Sequence, residues 1–262
     1  MDAGVVRIKI HGPSATIILN RPEKRNALSR ILLDELLQAL NDLHLEKKVR
    51  AIILTGAGDV FCAGMDLFEM METAKEPDPH PQWYQDAEQL REILETMLRY
   101  PKPIIAAVNG PALAGGVGLV SACDYVLAAP QAKFGLPEPK RGIMAGMVSP
   151  LLAFRVGNGQ AARLLVTTQT IDAAEAHRIG FVHEIVENSD HLWAKAHAWA
   201  EEIAKSAPSA IQLTKRMVYE NIGEHLFTLL SAGAAMSATA RTTEAAQEGV
   251  KAFFEKREPK WG

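Results

Sequence analysis

The sequence has 262 residues, 48% of them hydrophobic and 23% charged, and 28 Lys and Arg against 31 Asp and Glu give a formal net charge of −3. This is the composition of a globular protein with enough chain to bury a large core, as one large α/β domain or a main domain with an appendage. The scattered basic residues argue against a nucleic-acid groove and against an anionic membrane surface as partners.

Two cysteines, Cys62 and Cys123, lie far apart in the sequence and form no CxxC motif. We interpret them as reduced, buried thiols, which favours a cytoplasmic protein. The first residues show no signal-peptide or presequence pattern, and no apolar stretch approaches the ~20 residues that span a bilayer. We therefore expect no membrane association.

The first half of the chain alternates short apolar strands with helices. Because the later strands are too far apart for hairpins, we predict parallel strands joined by helices, and therefore an α/β fold. The predicted strands are residues 5–10, 15–19, 51–55, 103–108 and 125–128. The predicted helices are 29–44 with Ser29 as N-cap, 66–72, 85–99 and one that begins near Gly116. The proline-rich stretch 76–84, which contains His80, and the stretch 133–142 are predicted as loops.

From about residue 160 the strand signals nearly vanish and helices dominate. These helices are predicted at residues 172–178, 190–205, 208–221, 224–237 and 241–255. The alanine-rich stretch 231–249 keeps helical spacing, and its small residues allow close helix packing. An oligomer contact and packing within the same chain explain this stretch equally well.

Two glycine-containing turns present bare backbone where a strand leads into a helix. They are PALAGGVGLVSACD (residues 111–124) and FCAGMDL (residues 61–67). The first lacks a Walker lysine and the GxGxxG spacing, which argues against a phosphate or dinucleotide site. Two such turns could each supply one main-chain N–H to a developing oxyanion, and two tight turns without a function fit the pattern about as well.

Glu138 is the candidate proton carrier, because Pro137 and Pro139 hold it in the loop FGLPEPKRG after apolar residues. Lost hydration would raise the pKa of its carboxyl group toward the range of a general acid or base, although a solvated loop glutamate is the commoner case. The sequence has no GxSxG motif and no Ser/His/Asp or Cys/His grouping. The histidines at 177, 183, 191 and 197 have no ligand spacing, so we expect no metal site.

Taken together, several segments resemble the crotonase, or enoyl-CoA hydratase/isomerase, family. In chain order they are LNRPEKRNALS (19–29), AGMDL (63–67), VNGPALAGGVGL (108–119), ACDYVLAAPQAKFGLPE (122–138), AAEAHRIGFVHEIV (173–186) and AFFEKREPKW (252–261). The resemblance implies an α/β spiral of repeated ββα units at residues 1–195, which carries an acyl-CoA site. It implies a helical oligomerisation region at 196–262 that forms a homotrimer or homohexamer, and no cofactor besides the coenzyme A of the substrate.

The resemblance also assigns roles to particular residues. The N–H groups of Met65 and Gly115 correspond to the pair that binds the thioester oxygen, and Glu138 to the later of two catalytic glutamates. Positions that match the coenzyme A contacts are Ala63, Asp66, Leu67, Lys24, Arg25, Phe253 and Lys256, the last two through a neighbouring subunit. The competing interpretation of Lys24 and Arg25 is that they are two solvated charges. The competing interpretation of Asp66 is that it is a helix N-cap.

The sequence departs from the family pattern at two positions. Gly118 stands where the earlier catalytic glutamate is expected, and Ala114 replaces a common glycine. We therefore predict an enoyl-CoA hydratase that acts on a branched or glutaconyl-type substrate with one glutamate. The alternatives are a Δ3,Δ2-enoyl-CoA isomerase, a decarboxylase or hydrolase on the same scaffold, and a scaffold that binds coenzyme A without catalysis.

Overall fold

The structure, a computed structural model, describes residues 4–261, and strands and helices alternate along most of them. The strands are β1 (Val6–His11), β2 (Ser14–Leu19), β3 (Ala51–Gly56), β4 (Ile104–Val108), β5 (Ala112–Leu113), β6 (Tyr125–Ala128), β7 (Lys133–Gly135), β8 (Ile171–Asp172) and β9 (Glu184–Ile185). The helices are α1 (Arg30–Leu45), α2 (Leu67–Thr73), α3 (His80–Arg99), α4 (Gly115–Ala122), α5 (Val148–Thr167), α6 (Ala173–Arg178), α7 (His191–Ala204), α8 (Pro208–Arg216), α9 (Glu224–Ala240) and α10 (Glu244–Phe254). Short 3-10 turns lie at Pro22–Lys24 and Glu138–Arg141, and a π turn at Met217–Ile222.

The larger sheet has the strand order β1-β2-β3-β4-β6-β9. Its first two strands are antiparallel, and all the following pairs are parallel. The smaller sheet has the order β5-β7-β8. The parallel strands joined by helices that the spacing predicts are confirmed.

Both faces of the central strands are buried, which explains their uninterrupted apolar sequence. Ile52, Leu54 and Ala106 belong to the main core on one face of the sheet. The alternate residues Ile53 and Ile105 pack on the opposite face against α7. The division predicted after residue 195 falls inside α7 and stays a prediction.

The C-terminal helices cover the region around residue 138. Helix α9 packs along α3, and α10 packs on the Glu138–Arg141 turn. Close approach needs small residues here, because a Cβ added at Gly146 would lie 2.3 Å from the carbonyl oxygen of Gly233. The alanine-rich segment therefore packs within its own chain, which leaves its second role, as an oligomer contact, a prediction.

Four expectations about elements are wrong in detail. Helix α5 has no counterpart among the predicted helices, and α3 begins at His80 inside the predicted loop 76–84. The stretch 133–142 is not all loop, since it contains β7 and the turn Glu138–Arg141. The predicted helix 208–221 ends as an α-helix at Arg216 and continues as a π turn.

Candidate active site

Residues 62–66 run between two other segments of the chain, with bridges from Met65 to Leu28 and from Cys62 to Ala112. The N–H of Leu28 donates to the carbonyl of Gly64 at 2.8 Å, and the N–H of Asp66 donates to the carbonyl of Leu28 at 3.1 Å. The two residues on either side of Met65 make these bonds, so the N–H of Met65 takes no part in the bridge to Leu28. Within residues 4–261 this N–H has no acceptor.

Gly115 is the first residue of α4, and the N–H groups of a first helical turn have no partner within their own helix. The N–H of Gly115 finds no acceptor elsewhere in the part of the chain that the structure describes. It also lies at the positive end of the helix dipole, which favours a negatively charged oxygen.

The two turns touch each other at Gly64. This residue has a φ of +90°, and a Cβ added to it would lie 2.6 Å from the Ala114 Cβ and 3.2 Å from the Gly115 nitrogen. Only glycine fits a left-handed backbone with so little room. The free N–H groups of Met65 and Gly115 therefore belong to abutting segments.

Glu138 opens the 3-10 turn after β7, and its side chain is buried although prolines flank it. Its Oε2 atom is enclosed and has no hydrogen-bond partner. Burial raises the pKa of the Glu138 carboxyl group to about 7, while its own backbone N–H and the positive charge of Arg141 act in the opposite direction. A carboxyl group with this pKa can both accept and donate a proton at neutral pH.

One cavity of about 370 Å³ brings most of the candidate residues together, and we call it the active-site cavity. Nine of the ten residues singled out in the sequence line it: Lys24, Arg25, Ala63, Met65, Asp66, Leu67, Gly115, Glu138 and Phe253. Lys256 does not line it. The cavity wall thus contains Met65 and Gly115, whose main-chain N–H groups are free, and the buried carboxyl group of Glu138.

Asp66 has two structural partners besides its place in the cavity wall. One carboxylate oxygen accepts from the N–H of Phe68 and caps α2, and the other pairs with Arg21 at 3.0 Å. Asp66 is therefore the N-cap of α2, as one of the two interpretations of the sequence predicts. A contact between Asp66 and coenzyme A stays a prediction. Lys24 and Arg25 are exposed at the cavity rim.

The C-terminal tail reaches the cavity of its own chain. The Arg141 guanidinium lies 4.6 Å from the ring centre of Phe253, and both residues line the cavity. The predicted contact of Phe253 and Lys256 with a neighbouring subunit stays a prediction. Sequence reasoning missed Arg141, Ser237 and Arg241 in the cavity wall, because their positions depend on how the C-terminal helices fold back.

Gly118 lies inside the core, where no carboxylate is available. A Cβ added there would lie 3.2 Å from Val148 Cγ2 and 3.8 Å from Leu94 Cδ2. These aliphatic side chains occupy the surroundings of the position that an earlier glutamate would use. Among the described residues, the acidic side chains that line the active-site cavity are Asp66 and Glu138.

Residues 4–261 contain neither a metal-binding cluster nor a candidate membrane span. No group of three or more His, Cys, Asp or Glu side chains is positioned to hold a metal ion. Over the same range, no helix is both long enough and apolar enough to cross a membrane.

A buried carboxyl group in one cavity wall with two residues whose main-chain N–H groups are free is an arrangement that can move a proton beside a negatively charged oxygen. Residues 10–262 match the model of the enoyl-CoA hydratase/isomerase family. A Thermus thermophilus protein named as a candidate enoyl-CoA hydratase is 41% identical over 250 residues, which are 95% of this chain and 98% of that protein. The short-chain-enoyl-CoA hydratase of Clostridium acetobutylicum is 35% identical over 260 residues, 98% of this chain and 97% of that protein.

A solved structure indicates the same family as these relatives. The crystal structure of an enoyl-CoA hydratase from Mycobacterium avium matches with a TM-score of 0.88 and 30% identity, over 100% of each chain. The chain therefore belongs to the enoyl-CoA hydratase/isomerase family of enzymes. The α/β spiral that the sequence predicts is confirmed.

Proposed function

We propose that this protein is an enoyl-CoA hydratase, which adds water reversibly across the 2,3 double bond of a 2-enoyl-CoA thioester. The observation that carries the proposal is the buried Glu138 carboxyl group, in one cavity with the free N–H groups of Met65 and Gly115. The names of the relatives support hydration as the reaction.

The reaction divides into two proton transfers through one carboxylate. Glu138 removes a proton from water while the water oxygen bonds to C3, and the electron pair of the double bond moves toward the thioester oxygen. The N–H groups of Met65 and Gly115 stabilise the resulting enolate oxygen. The proton held by Glu138 then passes to C2, which completes the 3-hydroxyacyl product and restores the carboxylate.

Coenzyme A enters as part of the substrate, and we propose no separate cofactor. Lys24 and Arg25 at the cavity rim offer positive charge to the phosphates, while Ala63, Asp66 and Leu67 line the channel beside the thioester. Phe253 and Lys256 would contact the nucleotide. A branched or glutaconyl-type acyl group remains our substrate proposal.

Replacement of Glu138 tests the mechanism. We expect Glu138→Gln to lower kcat/KM for crotonyl-CoA by about 10²–10⁴-fold, the usual contribution of a general acid–base. The exposed Glu92→Gln on α3 is the matched control and should keep the parent rate. A folded Glu138→Gln protein that hydrates crotonyl-CoA at the parent rate would remove Glu138 from the mechanism.

A Δ3,Δ2-enoyl-CoA isomerase is the second candidate, and the observation that favours it is Gly118 among aliphatic side chains. One carboxylate is sufficient to move a proton from C2 to C4 of a 3-enoyl thioester. Incubation in ¹⁸O-water separates the two reactions. Hydration places the label in a 3-hydroxyacyl product, whereas isomerisation yields an unlabelled 2-enoyl thioester.

The assembly and location of the protein are proposed on the resemblance and the composition. We propose a homotrimer or a homohexamer formed through residues 196–262, and a cytoplasmic location that fits two buried free thiols.

A further inference from the structure

Arg241 is a buried arginine at the end of α9, and its side chain lines two cavities. It is 5% exposed, and it lies in the walls of both the active-site cavity and a second cavity of about 440 Å³. Met70, Ile143 and Phe254 also line both, so the cavities adjoin. Arg241 thus lies where the active-site cavity extends away from the thioester site.

The Arg241 guanidinium group makes no hydrogen bond and no salt bridge within residues 4–261. Its Nη1 atom is enclosed without an acceptor. The acidic group that acts on it is Asp86, but Arg30 already holds both oxygens of Asp86, at 2.7 and 3.0 Å. Burial lowers the pKa of Arg241 only to about 10, so the group is charged at neutral pH. A buried charge without a counterion is costly, and a ligand anion would supply one.

Ser237 adds a second free donor on the same helix face, one turn before Arg241. It is buried, it lines the active-site cavity, and its hydroxyl makes no hydrogen bond within the described residues. Other hydroxyls of α9 behave differently, since Ser231 and Thr239 donate to carbonyls four residues earlier, at 3.2 and 3.0 Å. The Ser237 hydroxyl is therefore available to a ligand.

The other acidic groups of the two cavities do not supply the missing partner. Asp66 pairs with Arg21, and Glu255 pairs with Arg257 at 2.6 Å. Glu138 is the third acidic residue of these cavities, and the positive charge that acts on it is that of Arg141 and not that of Arg241. The indole N–H of Trp83 in the second cavity is also buried without an acceptor, so this region lacks acceptors in general.

We propose that Arg241 and Ser237 bind a carboxylate at the far end of the acyl group, so that the substrate is a 2-enoyl-CoA with a second, free carboxylate. The inference rests on the proposed function, because it takes the thioester to lie at Met65 and Gly115. Arginine matches a carboxylate with two parallel hydrogen bonds, and the serine hydroxyl can donate a third. An uncharged acyl group would leave both donors buried and unpaired.

Binding of unreactive thioesters tests this subsite without turnover. The probes are saturated acyl-CoAs in pairs of equal carbon number: succinyl- against butanoyl-CoA, glutaryl- against pentanoyl-CoA, and adipyl- against hexanoyl-CoA. Calorimetric titration should show one or more carboxylate members binding on the order of a hundredfold more tightly, because sites with buried polar groups reject ligands that leave them unpaired. A preference of less than tenfold in every pair would overturn the proposal.

Variants test whether Arg241 and Ser237 cause the preference for a carboxylate. Arg241→Met should reduce it below threefold, and Ser237→Ala should reduce it by about tenfold or less. Thr239→Ala, whose hydroxyl bonds its own helix, is the matched control and should keep the preference of the parent. If Arg241→Met fails to fold, Arg241→Lys is the second variant. It keeps the positive charge but lacks the two parallel N–H donors of the guanidinium group, so it should lose most of the preference. A folded Arg241 variant with the parent preference contradicts the proposal.

The outcomes distinguish this subsite from the proposed reaction. Hydration of crotonyl-CoA without any carboxylate preference would contradict only the subsite. A carboxylate preference that depends on Arg241, together with no hydration of any enoyl-CoA, would support the subsite and contradict the hydratase assignment.

Discussion

Glu138 is buried with a free carboxylate oxygen at the point where the proposed chemistry needs a proton carrier. Burial accounts for its pKa of about 7, since the Arg141 charge works against the shift. The group is therefore divided between its two protonation states at neutral pH, which suits a reaction in which it first accepts and then returns a proton.

The pH dependence of the rate follows from this pKa. Because the deprotonated form accepts the proton of water, kcat/KM for crotonyl-CoA should fall about tenfold per pH unit below about pH 7 and level off above it. Rates between pH 5 and 9 measure this limb in the free enzyme. A flat profile over that range would contradict a role for Glu138 as the base.

The same shift predicts a pH-dependent stability. The folded pKa is about 7 and the ordinary value 4.5, so the folded state binds the proton more tightly and stability falls as pH rises between them. Glu138→Gln should be more stable than the parent by up to about 3 kcal/mol at pH 8, and this gain should vanish near pH 4.5. Urea unfolding at several pH values measures it. The control Glu92→Gln should show no such trend, and a pH-independent gain would contradict the account.

The resemblance to the family named Met65, Gly115 and Glu138, and the fold places all three in the wall of one cavity, while their catalytic roles stay predictions. The sequence could not reveal that Arg241 lacks a counterion. An arginine in an alanine-rich helix usually reaches solvent, and only the fold shows that Asp86 is already bound to Arg30.

At the scale of elements, the turn from β5 into α4 stores backbone strain. Ala114 has a φ of 51° and a ψ of −122°, a conformation that favours glycine. Glycine is common at this position in the family that the sequence resembles, and the backbone conformation supplies the reason.

Relief of this strain is measurable. Ala114→Gly should stabilise the protein by about 1 kcal/mol, because the relieved strain exceeds the entropic cost of the glycine. The control Ala112→Gly, in the regular strand two residues earlier, should destabilise it by about 1 kcal/mol. Thermal or urea unfolding compares the two variants, and equal effects would show that the Ala114 backbone is not strained.

The elements that sequence reasoning missed have weak local signals. Helix α5 contains Gly157 with a φ of 77° and a ψ of 156°, which interrupts the helical repeat that periodicity detects. Strands β5, β8 and β9 have two residues each, too few for any alternation. Helix α3 begins at His80 because Pro81 is tolerated in a first helical turn, whereas the cluster of prolines predicts a loop.

On the molecule as a whole, several large apolar side chains of the C-terminal helices are exposed. Leu229 and Met236 are seven residues apart on α9 and are 50% and 53% exposed, and Leu213 and Met217 are exposed just before that helix. If a second copy of the chain covers these side chains, as the proposed assembly requires, their apolar surface is removed from water.

The proposed trimer or hexamer can be tested at these residues. Light scattering coupled to gel filtration should give three or six times the chain mass. Leu229→Lys combined with Met236→Lys should lower that mass, since two charges would be buried in the interface. Leu45→Lys, on a leucine 79% exposed at the end of α1, should not. A monomeric parent protein would contradict the proposed assembly.

In the proposed site, two main-chain N–H groups meet at one thioester oxygen beside Glu138. A crystal structure with butanoyl-CoA, which cannot be hydrated, tests it most directly. We expect the thioester oxygen to lie about 2.7–3.1 Å from the nitrogens of both Met65 and Gly115, with C2 and C3 next to the Glu138 carboxyl group. A thioester oxygen bound elsewhere, or an acyl group remote from Glu138, would contradict it.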